Sequence, residues 1–75
     1  MKIEYDSKFD LLYLRFDDTM QELVNQKVNE HIVLDIGKND KIVGIEILDA
    51  SEVLDLKSIL PVDYINNRLE KASLV

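Results

Sequence analysis

Apolar and polar residues alternate with a period of two along most of the first 48 residues. The alternation is clearest from Glu30 to Ile36, and it recurs in four other segments, at 2–5, 11–16, 22–28 and 42–48. This period is typical of strands that bury one face. The segment 22–28 is only weakly amphipathic, which predicts an edge strand. The turn residues Gly37 to Asp40 separate the last two segments. The pattern therefore predicts an antiparallel meander of four to five strands.

The second strand differs from the others because both of its faces are largely apolar. Leu12 and Leu14 lie on one face, while Leu11 and Tyr13 lie on the other. Such a strand is expected to be central or to be covered on both sides. The best period-two positions predict a core made of Leu12, Leu14, Ile32, Leu34, Ile45 and Ile47.

The period changes after Leu48. Asp49 to Glu52 has the spacing of a capping box, which predicts a short helix that packs on the sheet before Pro61. After Pro61, apolar residues recur at helical spacing and predict a second helix. Its apolar stripe is the candidate interaction face, made of Val62, Ile65, Leu69 and Ala72. This stripe packs either on the chain's own sheet or on another molecule.

These elements predict a single α+β domain over residues 1–75. Residues 1–48 form the antiparallel sheet, and residues 49–75 form a tail of one or two helices. A chain of 75 residues has one thin core, and its hydrophobic content of 47% is that of a globular domain.

Composition excludes several classes of function. The nine basic and fifteen acidic residues give a net charge of −6, which repels nucleic-acid phosphates. The absence of cysteine excludes disulfides and thiolate metal sites. No segment is apolar enough for a signal peptide or a membrane span, so we expect a cytoplasmic protein without a membrane partner.

Two segments together resemble a known family. Tyr5-Asp6, followed by Asp10-Leu11-Leu12-Tyr13, is similar to its opening Tyr-Asp…Asp-x-Leu-Tyr motif. Gly44 to Ser51 is similar to its closing Gly-x-Glu-x-Leu-x-Ala-Ser motif. The family is domain of unknown function family 2283, a group of small prokaryotic domains, and the resemblance spans Tyr5 to Ser51.

The resemblance implies no catalytic residue, because the family carries no established activity. Some members look like partners of neighbouring small toxin-like proteins. The resemblance therefore implies, by association, an antitoxin-like role with a small basic protein as partner. Analogy at the level of a family does not identify a functional site.

Four acids lie within the motif segments and could carry chemistry. Paired carboxylates can transfer protons or bind a hard cation, and Asp6, Asp10 and Glu46 are the candidates for such a site. The structural alternative is that Asp6 and Asp10 close the first turn, while Asp49 caps the helix. The one histidine, His31, lacks the partners that a zinc site needs.

Gly44 stands in the middle of the last strand, where glycine weakens a sheet unless another group approaches closely. An aromatic ring, such as that of Tyr13, could pack over the gap, or a ligand could bind there. Tyr13, Gly44 and Glu46 are therefore a candidate groove.

We expect a non-enzymatic protein-interaction domain without a cofactor, which binds a second copy of itself or a small basic protein. The alternative is a small enzyme or divalent-metal-binding domain that uses Asp6, Asp10 and Glu46.

Overall fold

Residues 1–68 are described by a computed structural model, and they form an antiparallel sheet followed by a short helix. The strands are β1 (Lys2–Asp6), β2 (Leu11–Arg15), β3 (Val24–Lys27), β4 (Ile32–Ile36) and β5 (Ile42–Leu48), and the helix is α1 (Ala50–Val53). Single 3-10 turns lie at Lys38–Asp40 and Leu56–Ser58. No helix within residues 1–68 is long and apolar enough to cross a membrane.

The strand order in the sheet is β1-β2-β5-β4-β3, and every neighbouring pair is antiparallel. The predicted antiparallel sheet is confirmed, but the predicted meander is wrong at one connection. After β2 the chain crosses to the far edge as β3, and the last strand then returns to the centre. The two strands with the richest apolar sequence, β2 and β5, are thereby inner strands, while the exposed β3 lies at an edge as predicted.

The pairing places the predicted core residues on one face of the sheet. One row across the strands joins Tyr5, Leu12, Ile47 and Ile32, and the next joins Ile3, Leu14, Ile45, Leu34 and Gln26. We call this side the apolar face.

The predicted burial of this face is confirmed only in part. Leu12 is 2% exposed, but Leu14, Ile32, Leu34, Ile45 and Ile47 are only half-buried. Up to Arg68, the segment after β5 shares a pocket with residues of β1 and β2 only.

The segment after α1 covers one side of the apolar face. Leu56, Ile59 and Leu60 lie beside Ile3, Tyr5 and Leu12, and the six residues line an open pocket of about 160 Å³. We call Leu56, Ile59 and Leu60 the ridge. The part of the face on β3, β4 and β5 we call the open half-face, and we define it by Val24, Gln26, Ile32, Leu34, Ile36, Ile45 and Ile47.

Up to Arg68, the tail contains less helix than its sequence predicts. The first helix ends at Val53 rather than near Leu60, and residues 62–66 are not helical. Asn and β-branched residues are weak helix formers, and the Asn66 side chain accepts a hydrogen bond from the Arg68 amide instead (3.0 Å). Leu69 and Ala72 of the predicted stripe lie outside the described residues.

Candidate functional site

Asp10 joins the two sequence motifs. Its carboxylate accepts hydrogen bonds from the Tyr5 hydroxyl (2.7 Å), the Ser51 amide (2.9 Å) and the Ser51 hydroxyl (2.7 Å). Its carbonyl oxygen accepts from the amide of Ala50 (2.9 Å), which is fully buried. The Tyr5 hydrogen bond, followed by those from Ser51, lowers the pKa of Asp10. Asp10 therefore fixes the start of α1 to the β1–β2 turn.

The other turn acids also bind the chain itself. The Asp6 carboxylate accepts from the amides of Lys8 (2.9 Å) and Phe9 (3.3 Å), which confirms the predicted turn. Asp49 precedes α1 in a left-handed conformation, but its side chain makes no capping bond, so the predicted capping box is wrong. That side chain lies 3.4 Å from His31 Nδ1 instead. The same nitrogen of the half-buried His31 is 3.2 Å from the Leu48 carbonyl oxygen.

The alternative metal site does not assemble in this arrangement. Asp6 and Asp10 are held in the first turn, whereas Glu46 lies within β5, opposite Tyr13. Among residues 1–68, no group of three or more His, Asp or Glu side chains is placed to hold a metal ion.

The candidate groove lies on the other side of the sheet, which we call the polar face. Tyr13 on β2 is directly opposite Glu46 on β5, and Gly44 is two residues away along β5. The Tyr13 hydroxyl and ring carbon Cζ occupy the space that a Cβ on Gly44 would need. The interpretation that an aromatic ring packs over Gly44 is therefore confirmed, and the Tyr13 side chain itself fills this part of the groove.

Asp35 is the centre of this polar cluster, and the sequence analysis did not single it out. It pairs with Gly44 across β4 and β5 and is only 4% exposed. Its carboxylate accepts hydrogen bonds from the Tyr13 hydroxyl (2.9 Å) and from the Asn25 side-chain amide. The one signal for it in the sequence is an aspartate in a strand of β-branched residues, on the same side as a mid-strand glycine.

Two carboxyl groups interact in this cluster. Burial, and then the neighbouring Asp35 carboxylate, raise the pKa of Glu46. Burial and Asp35 likewise raise the pKa of Tyr13. A protonated Glu46 can donate a hydrogen bond to the Asp35 carboxylate.

The nearby cation, Arg15, contacts Tyr13 of this cluster and two acids outside it. The Arg15 guanidinium stacks on the Tyr13 ring at 5.0 Å from its centroid. Its nitrogens lie 3.8 Å from Glu4 Oε1 and 3.7 Å from Asp18 Oδ1. Within the described residues, no buried side-chain nitrogen or oxygen lacks a hydrogen-bond partner.

The predicted interaction stripe is exposed where the structure describes it. Val62 is 53% exposed and Ile65 is 72% exposed. The open half-face adds a second, largely apolar surface, and four of its residues belong to the predicted core: Ile32, Leu34, Ile45 and Ile47.

The fold and these two clusters define a small α+β domain whose motifs meet at Asp10 and at Gly44. Residues 2–51 match the family described as protein of unknown function (DUF2283), and the chain belongs to this family. Neither a curated protein nor a solved structure matches the chain.

Proposed function

We propose that this chain is a non-catalytic protein-interaction domain that docks a protein surface on the open half-face. The observation that carries the proposal is the incomplete burial of Ile32, Leu34, Ile45 and Ile47 in the middle of the sheet. The centre of a sheet is where a monomer of sufficient size would bury its apolar residues most completely.

The size of this surface supports docking. Three strands about 4.8 Å apart and about 17 Å long span roughly 240 Å² in projection, before the neighbouring ridge is added. At the border of the open half-face, Val24 is 66% exposed, and on the ridge Leu60 is 65% exposed. Contiguous apolar patches of a few hundred Å² on small proteins commonly mark interaction sites.

The polar face supports a non-catalytic role. Tyr13 and Asn25 both donate hydrogen bonds to Asp35, and the Tyr13 side chain occupies the space over Gly44. A catalytic site needs a reactive group that can reach a substrate, and this cluster instead directs its polar atoms at its own members.

The test compares two variants that each replace an exposed apolar side chain with aspartate. Val24→Asp adds a charge to the open half-face, whereas Met20→Asp adds one to the β2–β3 connection, where Met20 is 92% exposed. Fluorescently labelled protein is examined by sedimentation velocity, both in buffer at high micromolar concentration and in extract of the native host.

We expect the wild type to sediment as a species larger than 8.7 kDa in at least one medium. Val24→Asp should lose this species, and Met20→Asp should keep it. A wild-type chain that sediments as a monomer in both media contradicts the proposal, as does an assembly that Val24→Asp leaves intact.

A further inference from the structure

We propose that the protein surface docked on the open half-face is a second copy of this chain. In this dimer, the two sheets stack by a two-fold axis parallel to the strands, so that the ridge of each copy lies on the open half-face of the other. This inference rests on the proposed function and adds to it the partner and the geometry.

Charge favours a second copy on this face. Within the described strands, none of the residues of the apolar face is charged, whereas Glu4, Arg15, Lys27 and Glu46 belong to the polar face. Two copies, each with a net charge of −6, can therefore meet without burying a charge and keep their acids in water. A basic partner would find no acid to pair with on the open half-face.

Shape selects the axis. Within the described residues the apolar face is a step, because the ridge lies beside β1 and β2, while Ile45 of β5 and Leu34 of β4 are only partly buried and Val24 of β3 is 66% exposed. Rotation by 180° about an axis parallel to the strands reverses the strand order, and it places the ridge of one copy above β4 and β3 of the other. Rotation about an axis across the strands would instead bring ridge against ridge. Only the first rotation fills both steps in an isologous contact.

The register then identifies the residues that meet. The ridge covers Ile3, which belongs to the same row across the sheet as Leu34 and Gln26. A two-fold axis parallel to the strands keeps positions along the strands unchanged. Leu60 of one copy should therefore approach Gln26 on the exposed edge strand β3 of the other copy. The central strand β5 lies on the axis.

The contact area predicts a weak dimer. Five strands of about 17 Å span a face of roughly 24 by 17 Å, so two copies would bury on the order of 800–1,000 Å² in total. Stable specific interfaces bury about 1,200–2,000 Å². We expect a dissociation constant in the micromolar range.

The absence of cysteine from the chain makes a direct test possible. A chain with Leu60→Cys is mixed at high micromolar concentration with a longer, tagged chain that carries Gln26→Cys, and a short bis-maleimide joins thiols that lie close together. In the matched control, the tagged chain carries Lys27→Cys, which is exposed on the same strand but belongs to the polar face. Circular dichroism checks that each variant retains the sheet.

We expect the mixed-length product with Gln26→Cys at a yield at least fivefold above that with Lys27→Cys. Dilution below the dissociation constant should abolish it. A predominant product between two Leu60→Cys chains would overturn the geometry, since it requires ridge against ridge.

Sedimentation separates this inference from the proposed function. A dimer that yields equal products with Gln26→Cys and Lys27→Cys overturns the inferred stacking. A chain that is monomeric in buffer but assembles in host extract through Val24 overturns the second copy as partner, and the interaction domain stands. A monomer in both media overturns both proposals.

Discussion

The hydroxyl group of Tyr13 lies over Gly44 on the neighbouring strand, in the space that a Cβ atom would occupy. This contact lets Tyr13 reach across β5 and donate its hydrogen bond to Asp35 on β4. A single glycine thereby connects three strands through one side chain.

Gly44→Ala should destabilise the protein because the new methyl group meets Tyr13 on one side and the Leu14 carbonyl oxygen on the other. Overpacking of this kind costs about 1–3 kcal/mol, measured as the free energy of unfolding in urea. Adding Tyr13→Phe, which removes the hydroxyl, should give a double variant whose loss is smaller than the sum of the two single losses. Additive losses would show that the two residues do not compete for this space.

Glu46→Gln should stabilise the protein at neutral pH. Burial and Asp35 raise the pKa of Glu46, so the folded state binds more protons than the unfolded state, whose glutamate has a pKa of about 4.3. Stability from this group is therefore greatest below that value, and it falls as pH rises through the folded pKa. Because glutamine does not ionise, the stability of the Glu46→Gln variant should not decrease in this way as pH rises.

Urea titrations of Glu46→Gln at pH 4 and pH 7 check the sign. At pH 7 the variant should have a larger free energy of unfolding than the wild type. At pH 4 the difference between their free energies of unfolding should be smaller. Glu52→Gln, on the exposed surface of α1, serves as the control. A variant less stable than the wild type at pH 7 would contradict the assignment.

Asp10→Asn should remove part of the acid sensitivity of the fold. Hydrogen bonds from Tyr5 and Ser51 lower the pKa of Asp10 below its unfolded value of about 3.9. The corresponding stability is present above that pH and is lost as pH falls through the folded pKa. We therefore expect Asp10→Asn to be less stable at pH 7 and to change less between pH 5 and pH 2. Asp40→Asn in the exposed β4–β5 turn is the control. If stability depended on pH equally in Asp10→Asn and in the wild type, Asp10 would not contribute to the acid sensitivity of the fold.

Core truncations should differ according to how far each side chain is covered. Leu12 is 2% exposed, so Leu12→Ala should cost about 2–4 kcal/mol. Leu34 is half-buried, so Leu34→Ala should cost only about 1 kcal/mol in dilute solution. Urea unfolding at low micromolar concentration measures both values. Equal losses would show that Leu34 is covered in the monomer.

The chain should not bind nucleic acid at physiological salt. A net charge of −6 opposes the release of counterions on which such binding depends. Fluorescence anisotropy with labelled duplex DNA and RNA checks this prediction. A salt-sensitive increase in anisotropy at micromolar protein concentration would contradict the prediction.

Local patterns predicted the strands well because alternation is a property of adjacent residues. The bounds of β5 agree with the predicted segment 42–48 at both ends. The order of the strands in the sheet is not a local property. The period-two pattern of β3 does not specify which strand pairs with it. The predicted meander failed there, because β2 pairs with β5 rather than with β3.

Local patterns also predicted only part of the polar cluster. A mid-strand glycine requires a close approach, so Gly44 predicted either an aromatic ring such as that of Tyr13 or a ligand beside it, and the structure shows the ring. The sequence did not indicate Asp35, because the register between β4 and β5, and not its own sequence neighbours, places it opposite Gly44. In the tail, apolar spacing predicted a helix after Pro61 while the intervening Asn residues disfavoured one.

The position of β5 between β2 and β4 has a consequence for folding. Without β5, the first 41 residues form two separate hairpins, β1–β2 and β3–β4, and isolated hairpins are marginal in water. Folding should therefore be all-or-none, with the docking of β5 as the event that joins both halves. During synthesis, the inner edges of β2 and β4 are unpaired until β5 leaves the ribosome. That interval is when a nascent chain is most exposed to strand pairing with its neighbours.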